Sequence, residues 1–302
     1  MPPAAPLNSG HSAGQPALAV LLAVLMFSLI ELVVRQLLQT YPLHQVVWLR
    51  SVAAIPVLAL TLWALSRRAS AAAPSAVDMP WHQRWLLHLL RSGLGTLSMA
   101  CIFYAVGQIP LGTAAALTAT APFFVLLMSP YLLGESVPWR RWAGVAVGFL
   151  GVCLVSGPQS VDAWPGMASA LLGALCSAAL MVLLRFLAQR EPTTQTALFN
   201  ALGITAWSTL GVWWWGFTPL QVQDGVWVLL MGVLGGGAHW IATWAYQRGQ
   251  AGALAPLGFS ACIWGLLLGY LSFGETPSAL ALLGTATIIV GGYVATRANP
   301  PH

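Results

Sequence analysis

Three charged side chains stand inside the most apolar part of the sequence, and their types could support ion binding or proton transfer. They are Glu31, Arg35 and Arg50, in a chain of 302 residues of which only 6% are charged. An ionisable side chain within a membrane span usually faces a partner, or a cavity on a substrate or proton path. A carboxylate and a guanidinium at one depth can pair with each other, or hold the two ends of a zwitterion.

A turn at Tyr41-Pro42 sets the depth of each charge. Glu31 lies ten residues before Tyr41, about 15 Å along a helix, and Arg50 lies eight residues after Pro42, about 12 Å. If the two helices are adjacent and antiparallel, these side chains meet, so we predict an intramembrane Glu31–Arg50 ion pair. The pair has two interpretations: it fixes helix packing, or it serves the substrate, with Glu31 as the proton-coupling group. Arg35, about 9 Å deep, is expected to reach the outer surface as an anchor.

Other polar and aromatic side chains within apolar runs are candidates for a substrate cavity. Aromatic rings can stack on an aromatic or cationic substrate, and hydroxyl or imidazole groups can hydrogen-bond to it. Each has an alternative interpretation as ordinary helix packing. The candidates are Tyr104, Thr120, His239, Trp244, Ser260 and Trp264.

Two acidic residues are interpreted as structural rather than functional. Glu135 and Glu275 each follow a glycine and lie shortly before a proline. A carboxylate at such a position can cap the N-terminus of the helix that follows. We therefore predict a helix-capping role for both.

Composition limits the class of protein. Hydrophobic residues make up 58% of the chain and the mean hydropathy is +0.77, values typical of a membrane protein. The net charge of +5 comes from arginines placed singly or in pairs at helix ends, so nucleic acid is not expected as a partner. The sequence has no Walker motif, metal-ligand cluster or catalytic motif. We expect no cofactor, no metal and no enzyme activity.

Apolar runs between charged, proline and glycine breaks predict an all-α membrane protein with ten transmembrane helices. Their approximate bounds are 17–39, 43–65, 85–107, 111–133, 139–156, 165–188, 192–215, 225–247, 251–273 and 278–296.

These helices form an internal repeat. Glu135 and Glu275 are 140 residues apart, and the same offset joins Gly144 to Gly284 and Thr120 to Ser260. An offset of 150 joins "VVRQLLQTYP" (33–42) to "LLRFLAQREP" (183–192). The predicted organisation is a tail (1–16), a first repeat (17–156), a second repeat (165–296) and a C-terminal tail (297–302).

The repeat also bears on the charged stretch. At the offset of 150, Glu31 corresponds to Met181 and Arg50 to Asn200, whereas Arg35 corresponds to Arg185. The two predicted partners are lost together, which favours a pair, because an unpartnered charge in a bilayer is costly.

Because five helices are an odd number, the second repeat must enter the membrane from the opposite side. The arginines agree, since nine of them fall on one predicted face: Arg67, Arg68, Arg84, Arg140, Arg141, Arg185, Arg190, Arg248 and Arg297. The positive-inside rule makes that face, and both termini, cytoplasmic. Inverted repeats are a common plan for secondary transporters.

Two stretches carry a family resemblance: "ALTATAPFFVLLMSPYLLGESVPWRRWAGVAVGFLGVCLV" (116–155) and "APLGFSACIWGLLLGYLSFGETPSALALLGTATIIVGGYVA" (255–295). Each has a helix of small residues, a terminal Gly-Glu and a glycine-spaced helix. The chain resembles the drug/metabolite transporter superfamily, in its bacterial type with two EamA domains. The resemblance implies a ten-helix bundle with a central cavity that moves small organic molecules across the bacterial cytoplasmic membrane.

Several functions remain open at this stage. The expected one is a secondary transporter that exports an amino acid or a related zwitterionic or aromatic metabolite. It would act as a monomer in the lipid bilayer, with protons as a candidate coupling ion. The alternative is an uptake carrier for riboflavin or S-adenosylmethionine, which the segment "YPLHQVVWLR" (41–50) favours by resemblance. A lipid-modifying enzyme and a channel are alternatives from other classes.

Overall fold

The computed structural model describes residues 14–66, 81–132, 138–155, 161–188, 193–248 and 254–297. Within these ranges every regular element is a helix. The α-helices are α1 (Gly14–Leu37), α2 (Leu43–Ser66), α3 (Trp81–Gln108), α4 (Leu111–Thr118), α5 (Ala121–Leu132), α6 (Trp139–Val155), α7 (Trp164–Ala188), α8 (Thr193–Trp215), α9 (Gly225–Arg248), α10 (Ser260–Phe273) and α11 (Ala279–Arg297). Short 3-10 helices span Val161–Ala163, Val222–Asp224 and Ala255–Phe259.

Five segments of the described chain are long and apolar enough to cross a bilayer. They are Gln15–Leu37, Trp85–Gln108, Leu111–Met128, Trp164–Leu183 and Val222–Ala242. Three shorter apolar helices accompany them: Leu43–Val57, Leu257–Phe273 and Ala279–Ala295. Length and composition therefore give the chain the character of a multi-pass membrane protein.

Two predicted spans are interrupted where the sequence analysis had continuous helices. Residues 111–133 divide into α4 and α5 at Ala119 and Thr120. The amide and hydroxyl of Thr120 both donate to the carbonyl oxygen of Leu117, at 3.2 and 2.6 Å, which tightens the last turn of α4. Pro122 then lacks the N–H that would continue the helix.

The second interruption lies at the equivalent place in the other repeat. The 3-10 helix Ala255–Phe259, with a proline in its first turn, precedes α10, which begins at Ser260. Thr120 and Ser260 are the residues that the sequence aligned at an offset of 140. Both interruptions therefore fall at one position of the repeat.

Helix α9 separates α1 from α2. It packs against both, whereas α1 and α2 make little contact with each other. A β-carbon on Gly235 of α9 would lie 3.7 Å from the Ile30 side chain of α1 and 3.7 Å from the Arg50 guanidinium of α2. Helix α3 takes the matching place against α7 and α8, where a β-carbon on Gly95 would lie 3.9 Å from the Asn200 side chain. Each of these helices thus packs into the other repeat.

Glycines bring α6 and α11 into backbone contact. A β-carbon on Gly151 would lie 2.7 Å from the carbonyl oxygen of Gly284, and one on Gly144 would lie 2.7 Å from that of Gly291. The reverse contacts have the same lengths. The two helices are therefore antiparallel, and the contact is symmetric under exchange of the repeats.

Candidate functional site

Three ionisable side chains lie where α1, α2 and α9 meet, and the space beside them is called here the cavity. Glu31 and Arg50 are partly exposed and His239 is exposed, and His239 lies close enough to Arg50 to interact with it electrostatically. The structure therefore brings together three of the residues that the sequence singled out.

Residues at helical spacing build two walls of this cavity. On α1, Phe27 lies one turn before Glu31, and on α9, Gly235 lies one turn before His239. The Phe27 and His239 rings meet edge to face, with centroids 5.1 Å apart and an interplanar angle of 76°. Arg50 reaches the bare backbone of Gly235 and interacts electrostatically with His239. A larger residue at position 235 would occupy the space beside the guanidinium.

The predicted Glu31–Arg50 ion pair is absent. In the part of the chain that the structure describes, the ion pair is Arg35–Glu275, and neither Glu31 nor Arg50 has a hydrogen-bond partner. The prediction assumed that α1 and α2 are adjacent, but α9 lies between them. Glu31 instead faces the side of the cavity near Cys262 of α10, with which it interacts electrostatically. Two opposite charges thus stand apart in one cavity.

The remaining cavity candidates have different surroundings. Ser260 Oγ and Trp264 Nε1, one turn apart on α10, are buried and lack a hydrogen-bond partner among the described residues. Thr120 is fully buried, and its hydroxyl donates to the carbonyl oxygen of Leu117 at the interruption after α4. Trp244 packs against the cluster of Val20, Ala245 and Leu254, and Val20 lies eleven residues, or about 16 Å along α1, from Glu31. Tyr104 on α3 is 37% exposed.

Arg35 and Glu275 form a polar site that the sequence analysis did not assemble. Glu275 Oε1 pairs with the Arg35 guanidinium, and Oε2 accepts a hydrogen bond of 2.8 Å from the amide of Leu111, the first residue of α4. Arg35 also lies over the Phe273 ring, 4.5 Å from its centroid. Arg35 was expected to reach the outer surface as an anchor; its side chain is 22% exposed and is paired with Glu275.

Glu275 was expected to cap the helix that follows it, and the structure places its carboxylate elsewhere. Gly274 ends α10 in a left-handed conformation, with φ of 65°, and this turn precedes Glu275. The cap of α11 is Ser278, whose hydroxyl accepts from the amide of Ala281 at 3.1 Å. Glu135, the repeat partner of Glu275, lies outside the described residues.

A family model matches the chain twice over almost its whole length. The model of the EamA-like transporter family matches residues 15–157 and again 164–297. This chain belongs to the EamA-like transporter family. It is therefore a multi-pass membrane transporter of the drug/metabolite transporter superfamily, with two EamA repeats.

Relatives of this EamA transporter differ in what their names say they carry. The pseudopaline exporter of Pseudomonas aeruginosa is 29% identical over 283 residues, covering 92% of this chain and 95% of the relative. The S-adenosylmethionine uptake transporter of Rickettsia prowazekii is 26% identical, and the alignment covers 68% of this chain and 70% of the relative. The riboflavin transporter of Rhizobium johnstonii is 29% identical, covering 70% of each.

A solved structure shares the fold of this EamA transporter. The crystal structure of a protein 22% identical aligns over 94% of this chain and 97% of its own, with a TM-score of 0.64. This likeness shows a common fold and carries no statement about the substrate.

Phe27 and Gly235 were missed as site residues by the sequence analysis. A signal for each was present in the sequence. Phe27 lies four residues before Glu31, and Gly235 opens the run Gly235-Gly236-Gly237 four residues before His239. Neither signal is specific, because phenylalanine and glycine are common in membrane helices.

Proposed function

We propose that this protein is a secondary transporter that exports a small organic zwitterion by alternating access. The observation that carries the proposal is the separation of Glu31 and Arg50 within one cavity. Both side chains are partly exposed, and neither forms an ion pair or hydrogen bond within the described residues. A substrate with a carboxylate and an ammonium group would satisfy both.

The low dielectric of the membrane-spanning part of the protein makes these contacts selective. Electrostatic attraction is stronger in a cavity of low dielectric than in water, so a matching charge on the substrate gains more there. A guanidinium can bind a carboxylate through two parallel hydrogen bonds. Arg50 is thus the carboxylate site and Glu31 the ammonium site. Glu31 is also the candidate for proton coupling, because it can exchange its proton for the substrate ammonium.

Aromatic groups give the cavity an apolar side. Phe27 and His239 present ring surfaces next to the two charges. Trp264 has a buried indole N–H without a partner among the described residues. These groups suit a zwitterion that carries an aromatic or heterocyclic side chain. The class that fits is therefore an amino acid, or a metabolite that contains an amino-acid unit.

The proposed topology has ten spans as two inverted repeats, with both termini on the cytoplasmic side of a bacterial inner membrane. Nine arginines fall on that side in this arrangement. The antiparallel glycine contact of α6 and α11 and the matched packing of α3 and α9 support it. The proposed functional unit is a monomer.

Relatives favour export and a zwitterion. The relative that aligns over 92% of this chain is a pseudopaline exporter. S-adenosylmethionine, named for another relative, contains an amino-acid unit with both charges, whereas riboflavin lacks both a carboxylate and an ammonium group. The charges of the cavity therefore favour a zwitterion such as S-adenosylmethionine over riboflavin.

Counterflow in proteoliposomes tests the proposal. The panel contains aromatic amino acids, S-adenosylmethionine and riboflavin, with and without an imposed pH gradient. We expect counterflow of at least one zwitterion and none of riboflavin. Glu31→Gln and Arg50→Gln should each lower it about tenfold or more, because a lost hydrogen bond to a charged group costs about 1.5–3 kcal/mol.

Arg140→Gln is the matched control, since Arg140 is an exposed arginine at the start of α6. It should retain wild-type counterflow. Proton coupling through Glu31 predicts that the response to the pH gradient disappears in Glu31→Gln. Wild-type counterflow of riboflavin but of no zwitterion would contradict the proposed substrate class.

A further inference from the structure

Arg35 and Glu275 join the end of α1 to the α3–α4 connection and to the turn after α10. Helices α1 and α2, which both pack against α9, are called here with α9 the first bundle; α7 and α8, which both pack against α3, are called with α3 the second bundle. The two bundles are in contact, because α2 also packs against α8. Arg35 belongs to α1 of the first bundle. Its guanidinium donates a hydrogen bond of 3.4 Å to the carbonyl oxygen of Ile109, which directly follows α3 of the second bundle.

Glu275, in the turn after α10, adds a third chain segment to this contact. Its two oxygens join Arg35 to the amide of Leu111, so one carboxylate holds the end of α1 and the start of α4 together. The negative charge also lies at the N-terminus of α4, where the helix dipole stabilises it. Three chain segments therefore meet at one ion pair: the last turn of α1, the α3–α4 connection, and the turn after α10.

Burial makes the pair more than a surface contact. The side chains of Arg35 and Glu275 are only 22% and 16% exposed. Exposed ion pairs contribute little, whereas removal of one partner from a buried pair leaves an uncompensated charge. Opening of this face would have to break the pair and hydrate both groups.

A second polar contact on the same face has a different placement. The Tyr41 hydroxyl donates to Asp224 at 2.7 Å and accepts from the amide of Gln221 at 2.9 Å. Tyr41 lies in the α1–α2 turn, and residues 221–224 lead into α9, so both sides of this contact belong to the first bundle. It can persist when the bundles separate. Tyr41 therefore offers a control with a similar location and a different role.

We propose that Arg35 and Glu275 form a latch that closes the outer face of the transporter and must break in every transport cycle. The proposal rests on the alternating access proposed above. In the structure the latch is formed, and the proposal assigns this arrangement to the outward-closed state. Loss of the ion pair shifts the population toward the outward-open state and leaves the binding groups intact.

Distance measurements between spin labels at Gln39→Cys and Gln108→Cys test the latch in the full chain in nanodiscs. Both residues are exposed, at the ends of α1 and α3 on the latched face. Cys153, an exposed native cysteine, is replaced by serine. Glu275→Gln keeps an acceptor for the Leu111 amide but removes the charge. It should raise the fraction of molecules with a long distance about tenfold or more.

The double variant Arg35→Gln/Glu275→Gln removes both charges and leaves none unpaired. It should also raise the fraction of molecules with a long distance between the labels. If the single variant does not fold, the double variant provides the test. Tyr41→Phe should keep the wild-type distribution. A wild-type distribution in both latch variants would overturn the latch, as would equal opening in Tyr41→Phe.

The distance measurements and the counterflow assay test the two proposals independently. The distances need no substrate, so they report on the latch even if counterflow finds no transported zwitterion. Conversely, counterflow of a zwitterion with an unchanged distance distribution in the latch variants would retain the function and reject the latch.

Discussion

At the residue scale, three charges of one short stretch have three different surroundings. Glu31 and Arg50 face the cavity from α1 and α2 without pairing, and Arg35 pairs with Glu275. The sequence was sufficient to mark Glu31 and Arg50 as exceptions within apolar runs. It could not assign partners, because a charge finds its partner by tertiary packing, and Glu275 lies 240 residues after Arg35. The joint loss of Glu31 and Arg50 in the second repeat is equally expected of two groups that bind one substrate.

Gly235 gives a prediction at this scale. A β-carbon there would lie at an ordinary contact distance of 3.7 Å from Arg50, so Gly235→Ala should transport nearly as well as wild type. Gly235→Leu would extend into the space beside the guanidinium and should lower counterflow at least about tenfold. Thermal unfolding of both variants is the control for folding. Equal counterflow of the leucine variant and wild type would show that Arg50 does not bind substrate from this side.

At the element scale, repeat spacing was the most informative part of the sequence. The offset of 140 placed Thr120 on Ser260, and both mark interruptions in the structure. It also aligned Gly144 with Gly284, and these glycines lie in the two helices that touch. The interruptions themselves were not predicted, because apolar runs continue through them. The place of α9 between α1 and α2 was missed because helices adjacent in sequence were taken as neighbours in space.

The α6–α11 contact gives a prediction at this scale. Gly151→Ala would put a β-carbon 2.7 Å from the carbonyl oxygen of Gly284, so the two backbones must move apart. We expect a loss of about 1–3 kcal/mol in the free energy of unfolding, as for other overpacked sites. Gly258→Ala is the matched control, because nothing lies within 4 Å of a β-carbon there. Equal unfolding temperatures in detergent for the two variants would contradict the close packing of α6 on α11.

At the scale of the whole molecule, packing across the repeats connects the cavity to the latch. Helix α1 carries both Glu31 of the cavity and Arg35 of the latch, one turn apart. A substrate that draws Glu31 toward Arg50 would move α1 relative to α2, and the same movement would strain the Arg35–Glu275 pair. Binding and opening are therefore expected to be coupled through one rigid helix.

The central claim is that one zwitterion bridges Arg50 and Glu31, and matched substrate and protein changes test it most directly. Inhibition of counterflow is measured for the transported zwitterion, its carboxyl methyl ester and its N-acetyl derivative, on wild type, Arg50→Gln and Glu31→Gln. Esterification removes the negative charge and acetylation the positive one. Wild type should lose affinity about tenfold or more for each derivative.

The account predicts that Arg50→Gln no longer distinguishes the ester from the parent compound, and that Glu31→Gln no longer distinguishes the N-acetyl derivative. The two variants should each retain the other discrimination. Full discrimination of both derivatives by both variants would place the substrate charges elsewhere and contradict the proposed binding site.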